Sequence, residues 1–80
     1  MDVVFDSASG SYTIPNDGYY EIVVSGTTTQ DSHVYLNGFT ILYASNSGNI
    51  YRQDAVFIAL KKGAQLTKDG NGRMVVRHFY

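Results

Sequence analysis

The sequence predicts an all-β protein: a compact antiparallel sandwich, jelly-roll-like, of seven to nine short strands. Three observations carry that prediction. Runs rich in β-branched and aromatic residues recur along the chain, turn-forming residues separate them, and no stretch of useful length shows helical spacing. Eighty residues make one small domain, residues 1–80.

Taken in order, residues 3–5 (Val-Val-Phe) form a first strand, closed by the small polar run at 6–10. Residues 11–14 form a second and lead into Pro15, the only proline. Its fixed φ and missing N–H make it the end of an edge strand. Asn16-Asp17-Gly18 tolerates left-handed backbone, which predicts a turn. The most strand-like run follows at 19–25. Alternation places Tyr20, Ile22 and Val24 on one face and Tyr19, Glu21 and Val23 on the other. Apolar residues on both faces imply two covers, the core on one side and a partner on the other. Residues 26–32 read as a polar loop.

Asn37-Gly38 between two apolar runs is the strongest hairpin signal in the chain, because a type I′ turn needs positive φ at both central residues. A two-residue turn sets Leu36 opposite Phe39 and Val34 opposite Ile41 on one face, with Tyr35 and Thr40 paired on the other. Residues 44–49 form a second polar loop, and 50–53 match no clear period. Residues 54–62 resume as a strand, with Val56, Ile58 and Leu60 on one face and Ala55, Phe57 and Ala59 on the other. Gly63 marks a turn, 64–67 a short partner strand, 68–72 a loop and 73–80 the last strand. The expected core joins Tyr20, Ile22 and Val24 to Leu36, Ile58 and Leu60.

Hydrophobic residues make up 44% of the chain and aromatics 14%, enough for a packed core. There is no cysteine, which excludes disulfides and thiolate metal sites. For so small a domain, subunit association is the remaining route to adequate stability. Six basic against seven acidic residues leave no electrostatic footprint for nucleic acid. No apolar run is long enough to span a bilayer as a helix, so no membrane insertion is expected. The first residues lack a secretory pattern, which predicts production in a cytoplasm and permits a virion component released by lysis.

Candidate chemistry is sparse. His33 and His78 fall in different strands and are too few for a metal site. Asp31-Ser32-His33 has the residue types of a hydrolase triad, but neighbours on a strand point to opposite sides. Asp69-Gly70-Asn71-Gly72 resembles the start of a calcium loop without its downstream glutamate, since Glu21 is the only one in the chain. No helix follows these glycines to make a phosphate site. No enzyme, cofactor or metal is expected. The seven tyrosines (12, 19, 20, 35, 43, 51 and 80) suit either a recognition surface, carbohydrate included, or the paving of subunit interfaces and sheet faces. Arg73 and Arg77 share a face with Val75 and Phe79, and an inter-subunit pair of Arg77 with Glu21 or Asp54 is the sharper reading of that charge. The candidate subunit interface is Tyr19, Val23, Phe57, Val75, Arg77 and Phe79. The candidate exposed binding loops offer Thr28, Gln30, Asp31, Asn46, Asn49 and Tyr51.

The run Tyr-Thr-Ile-Pro-Asn-Asp-Gly-Tyr-Tyr at 12–20, the Val-Tyr-Leu-Asn-Gly hairpin at 34–38 and Ala-Leu-Lys-Lys-Gly-Ala-Gln-Leu at 59–66 resemble the compact β-domains of tailed-phage fibre, head-fibre and decoration proteins. They are similar, too, to complement-type globular heads and tumour-necrosis-factor-like jelly rolls. Pro15, Asp17, Gly18 and Tyr20 match one motif of that group. Leu60 to Gly63 match another, with Ala64 where aspartate is usual. The resemblance implies a homotrimer packed around a threefold axis by aromatic and apolar residues on the inner sheet. It also implies exposed loops that bind a host surface glycan or protein, or attach to other virion proteins. The expectation is a phage virion structural protein for fibre-tip adhesion or particle decoration. It would dock on another virion protein, with residues 3–5 as a plausible docking edge. A free-standing carbohydrate-binding module is the alternative.

Overall fold

In the computed structural model, which describes residues 2–26, 31–44, 53–70 and 72–80, the chain forms eight strands. They are β1 (Asp2–Ser7), β2 (Ser11–Thr13), β3 (Gly18–Ser25), β4 (Ser32–Leu36), β5 (Phe39–Ala44), β6 (Gln53–Leu60), β7 (Gln65–Asp69) and β8 (Arg73–His78). Two antiparallel four-stranded sheets pack face to face, ordered β1-β8-β3-β6 and β2-β7-β4-β5. Strand 1 pairs with 8, 2 with 7, 3 with 6 and 4 with 5. That nesting is one long hairpin wound on itself, the course of an eight-stranded jelly roll.

The core lies between the sheets. Tyr20, Ile22 and Val24 of β3 and Met74 and Val76 of β8 face Val34, Leu42, Ala44 and Leu66 of the opposite sheet. Ile14 and Leu60 close one end of the same cluster. Burying each large aliphatic side chain contributes about 1.5–3 kcal/mol, so this single layer supplies most of what holds the sheets together. The expected core is correct for Tyr20, Ile22, Val24 and Leu60, whereas Leu36 and Ile58 are only half-buried against its rim.

The Pro15 region keeps its edge position, because β2 is an outer strand of its sheet. Strand pairing stops at Thr13. Ile14 still exchanges backbone bonds, its N–H donating to Ala64 O and its carbonyl accepting from Gly63 N–H, both at 2.8 Å. The following bend works differently from the expectation. Neither Asn16, Asp17 nor Gly18 adopts positive φ. Asp17 Oδ1 instead accepts the Lys62 N–H at 2.7 Å, and the buried Tyr20 hydroxyl donates to Asn16 O at 2.7 Å. That return bond from a core tyrosine to the chain just upstream is the logic of a tyrosine corner. Glycine is needed at 18 for space: a Cβ there would sit 2.6 Å from Tyr80 O and 2.8 Å from His78 Nε2.

The Asn37-Gly38 turn has φ of 50° and 88°, as a type I′ hairpin requires. Leu36 faces Phe39 and Tyr35 faces Thr40, but Val34 pairs with Leu42 rather than Ile41. A bulge at Ile41 absorbs the difference. The turn fixes the register at the tip, while burial demands Leu42 and Ala44 inside; one extra residue satisfies both. Phe39, which the expected register placed on the same face as Leu36, is exposed at the hairpin tip. Two further boundaries move. Lys68 and Asp69 belong to β7 rather than to a loop, and Ser32 begins β4 as a fully buried residue. The expected loop at 44–49 and the ambiguous stretch at 50–53 fall largely outside the described residues.

Candidate functional site

The two outward faces of the sandwich are chemically unlike. On the β1-β8-β3-β6 sheet, backbone register aligns Val3, Arg77, Glu21 and Phe57 in one row across the strands, and Asp6, Val75, Val23 and Ala55 in the next. Tyr19 and Ala59 continue the face beyond them. The chain end folds onto it: Phe79 N–H donates to Tyr19 O and Tyr19 N–H to Tyr80 O, at 2.9 and 2.6 Å. The Phe57 and Phe79 rings lie 4.3 Å apart between centroids, and those of Tyr19 and Tyr80 lie 5.3 Å apart. Val3 and Phe57 are each 54% exposed, Tyr19 46% and Tyr80 77%.

All six residues expected to form a subunit interface therefore share one surface. Four strands at about 4.8 Å spacing and six residues at about 3.3 Å give it a projected area on the order of 400 Å². A patch of that scale is about the largest that a typical monomer exposes, and such patches are often functional. Charge within it is internally cancelled, since Arg77 Nη1 donates to Glu21 Oε1 at 2.9 Å. The expected inter-subunit pairing of Arg77 is thus corrected: Glu21 is its cross-strand neighbour in the same chain. Asp54, the other partner considered, accepts the Tyr43 and Ala55 amides instead. Arg73, at the margin, pairs with Asp6.

The β2-β7-β4-β5 sheet presents a polar face, with Ser11, Thr13, Gln65 and Thr67 exposed. At one end of it stands a cluster that strand-by-strand reading of the sequence missed. His33 of β4 lies opposite Tyr43 of β5 and Asp69 of β7. Its ring centroid is 4.7 Å from that of Tyr43 and 6.0 Å from that of Tyr35. Asp69 Oδ1 accepts from the His33 amide at 2.8 Å and lies 2.9 Å from His33 Nδ1, while Oδ2 accepts from the Tyr35 hydroxyl at 2.8 Å. The Tyr43 hydroxyl donates to Asp31 Oδ2 at 2.7 Å.

These bonds set the protonation states. Partial desolvation pushes the Asp69 carboxyl up, but its bonds from Tyr35 and His33 outweigh that and leave it below its ordinary value. Asp69 and Asp31 in turn hold the Tyr35 and Tyr43 phenols above theirs, because each carboxylate accepts the phenolic proton. Lys68 Nζ turns away to the carbonyls of Asp69 and Gly70, at 3.2 and 2.8 Å, and desolvation lowers its affinity for a proton. The cluster is two carboxylates bracing three aromatic rings.

The remaining expectations place as follows. Thr28, Gln30, Asn46, Asn49 and Tyr51 lie outside the described residues; of the exposed-loop candidates only Asp31 is described, and it joins the cluster. Ser32 and His33 point to opposite sides of β4: Ser32 Oγ is buried and accepts the Gly72 N–H at 2.9 Å. His78 stacks on Tyr20 at 4.6 Å beneath the apolar sheet. A shallow cleft of about 250 Å³ at the Tyr19 end is lined by Asp17, Gly18, Tyr19, Ala59, Leu60 and Lys61. Among the described residues no group of His, Asp and Glu could hold a metal ion, and no helix is long and apolar enough to cross a membrane. No protein-family model matches the chain, and no curated protein is detectably similar to it.

Proposed function

We propose that this chain is an assembly module: a small homotrimeric phage virion structural protein, serving fibre-tip adhesion or particle decoration. The observation that carries the reading is the contiguous apolar face of the β1-β8-β3-β6 sheet, on which Tyr19, Val23, Phe57, Val75 and Phe79 surround a neutralised Glu21–Arg77 pair. Aromatic residues enriched in a patch whose charges are paired within the chain suit an interface. A satisfied ion pair can be covered without stranding a lone charge. A heterologous contact that closes at three uses such a face as the wall around an axis, as the resemblance to fibre and decoration domains implies.

The polar face would then look outward, which favours adhesion over a purely internal role and keeps the carbohydrate-binding module as the alternative. The test of the virion reading is quantitative mass spectrometry on purified particles from cells that produce the chain. The reading expects copies in multiples of three per particle. A folded, abundant chain that never co-purifies with particles would overturn it.

A further inference from the structure

We propose that His33, Tyr35 and Tyr43, braced by Asp69 and Asp31, form a binding platform for a neutral saccharide on the outward face of the β2-β7-β4-β5 sheet. This deepens the adhesion reading, on which it rests for its biological purpose, but the site itself needs neither a trimer nor a particle.

Three features of the cluster point to that ligand class. The rings lie on a flat sheet surface, with Tyr43 46% exposed and beside His33 across the β4-β5 pair. The Tyr43 ring, tilted 55° against His33, offers an exposed aromatic face, which fits a ligand with a flat apolar side. A pyranose has one, because its axial C–H groups stack on the electron-rich ring face. The polar rim supplies the other half of the recognition. Asp69 and Asp31 are acceptors for sugar hydroxyls, and the Tyr35 and Tyr43 oxygens, whose protons are committed to those carboxylates, offer lone pairs. Those same bonds fix the rings before any ligand arrives, which lowers the ordering cost of binding.

Charge narrows the class. The Asp69 carboxylate stands at the rim, and the ammonium of its neighbour Lys68 is turned to backbone carbonyls. Uronic and sialic acids would be repelled, and a nucleic-acid phosphate would be repelled for the same reason. A neutral sugar is favoured. An open face covers one side of a sugar only, so the dissociation constant is on the order of 1 mM per site. Three copies on one assembly would raise the effective affinity by avidity.

The experiment is an amide nitrogen–proton NMR titration of the intact protein with maltotriose, N-acetylated chitotriose, trigalacturonate and choline, with solution mass measured on each sample. The His33 amide, bonded to Asp69, is a built-in reporter. Maltotriose or N-acetylated chitotriose, both neutral, should shift the amides of His33, Tyr35, Tyr43 and Asp69. Tyr43→Ala should weaken the effect about tenfold and Tyr43→Phe less, since the phenylalanine keeps the ring. Phe57→Asp, on the opposite face, should leave the titration unchanged whatever its mass. If neither sugar shifts these amides at millimolar concentration, if trigalacturonate or choline binds better, or if the shifts map elsewhere, the proposal is wrong. A trimer that fails to bind sinks the site alone; a monomer that binds sinks the assembly reading alone.

Discussion

The two outward faces of this sandwich are built on the same core by the same alternation, yet they end as opposites. In β3 the outward positions are Tyr19, Glu21 and Val23; in β7 they are Gln65, Thr67 and Asp69. β7 follows the usual rule of a sheet with one wet side, while β3 reads as a strand covered twice. Neither face differs in how its strands are held, because both sheets are four-stranded and antiparallel. The difference lies wholly in the residues that do not contribute to the core. Such residues are free to suit what each surface meets; on the proposed reading one face meets protein and the other meets water or a solvated ligand.

The largest effect that would break this comparison comes from Phe57→Asp. Placed in the aromatic row beside Phe79, a carboxylate should weaken self-association at least a hundredfold, the loss typical of a central aromatic anchor, and analytical ultracentrifugation would read it. Thr67→Asp on the polar face should leave the mass unchanged. Ser32→Ala separates surface from core. It removes the acceptor for the buried Gly72 N–H and should cost about 1–3 kcal/mol in urea denaturation.

Smaller effects sharpen the account of each face. Asp69→Asn should destabilise the protein at neutral pH by an amount that vanishes in acid. The folded carboxyl titrates below its ordinary 3.8, so its contribution is full above that value and is lost as the pH falls through the folded value. Thermal unfolding of both forms from pH 7 to pH 2 would show the two curves converging. Smallest of all, Arg77→Met should change the stability of the fold by less than about 1 kcal/mol, because its pair with Glu21 is half-exposed. A complete loss of folding in that variant would show that the apolar face depends on the ion pair.

Much of this architecture is legible from residues alone. The alternation of Tyr20, Ile22 and Val24 against Tyr19, Glu21 and Val23 is a local signal with a period of two, and it predicts both the buried face and the surface left over. Asn37-Gly38 is equally local, because only positive φ closes so short a turn. The polar cluster was hidden for a physical reason. Its members come from β4, β5, β7 and, in Asp31, the residue just before β4; His33, Tyr35 and Asp69 meet through the β4-β7 pairing, and the bulge at Ile41 turns Tyr43 outward to join them. With an unbroken hairpin register Tyr43 would face inward. The conflict between turn register and core register could have been suspected from Ile41-Leu42-Tyr43, a run with no alternation. The extension of β7 through Asp69 offered no such cue, since Lys68-Asp69-Gly70 has the composition of a turn. Gly18, likewise, reads as a turn glycine, whereas its reason is the chain end packed against it.

The central claim is that the face carrying Tyr19, Val23, Phe57, Val75 and Phe79 is covered by other copies of the chain. Sedimentation equilibrium of the purified protein at micromolar concentration tests it most directly. The account predicts a mass about three times the 8.8 kDa of one chain. A folded species that stays at the mass of a single chain across that range would contradict it.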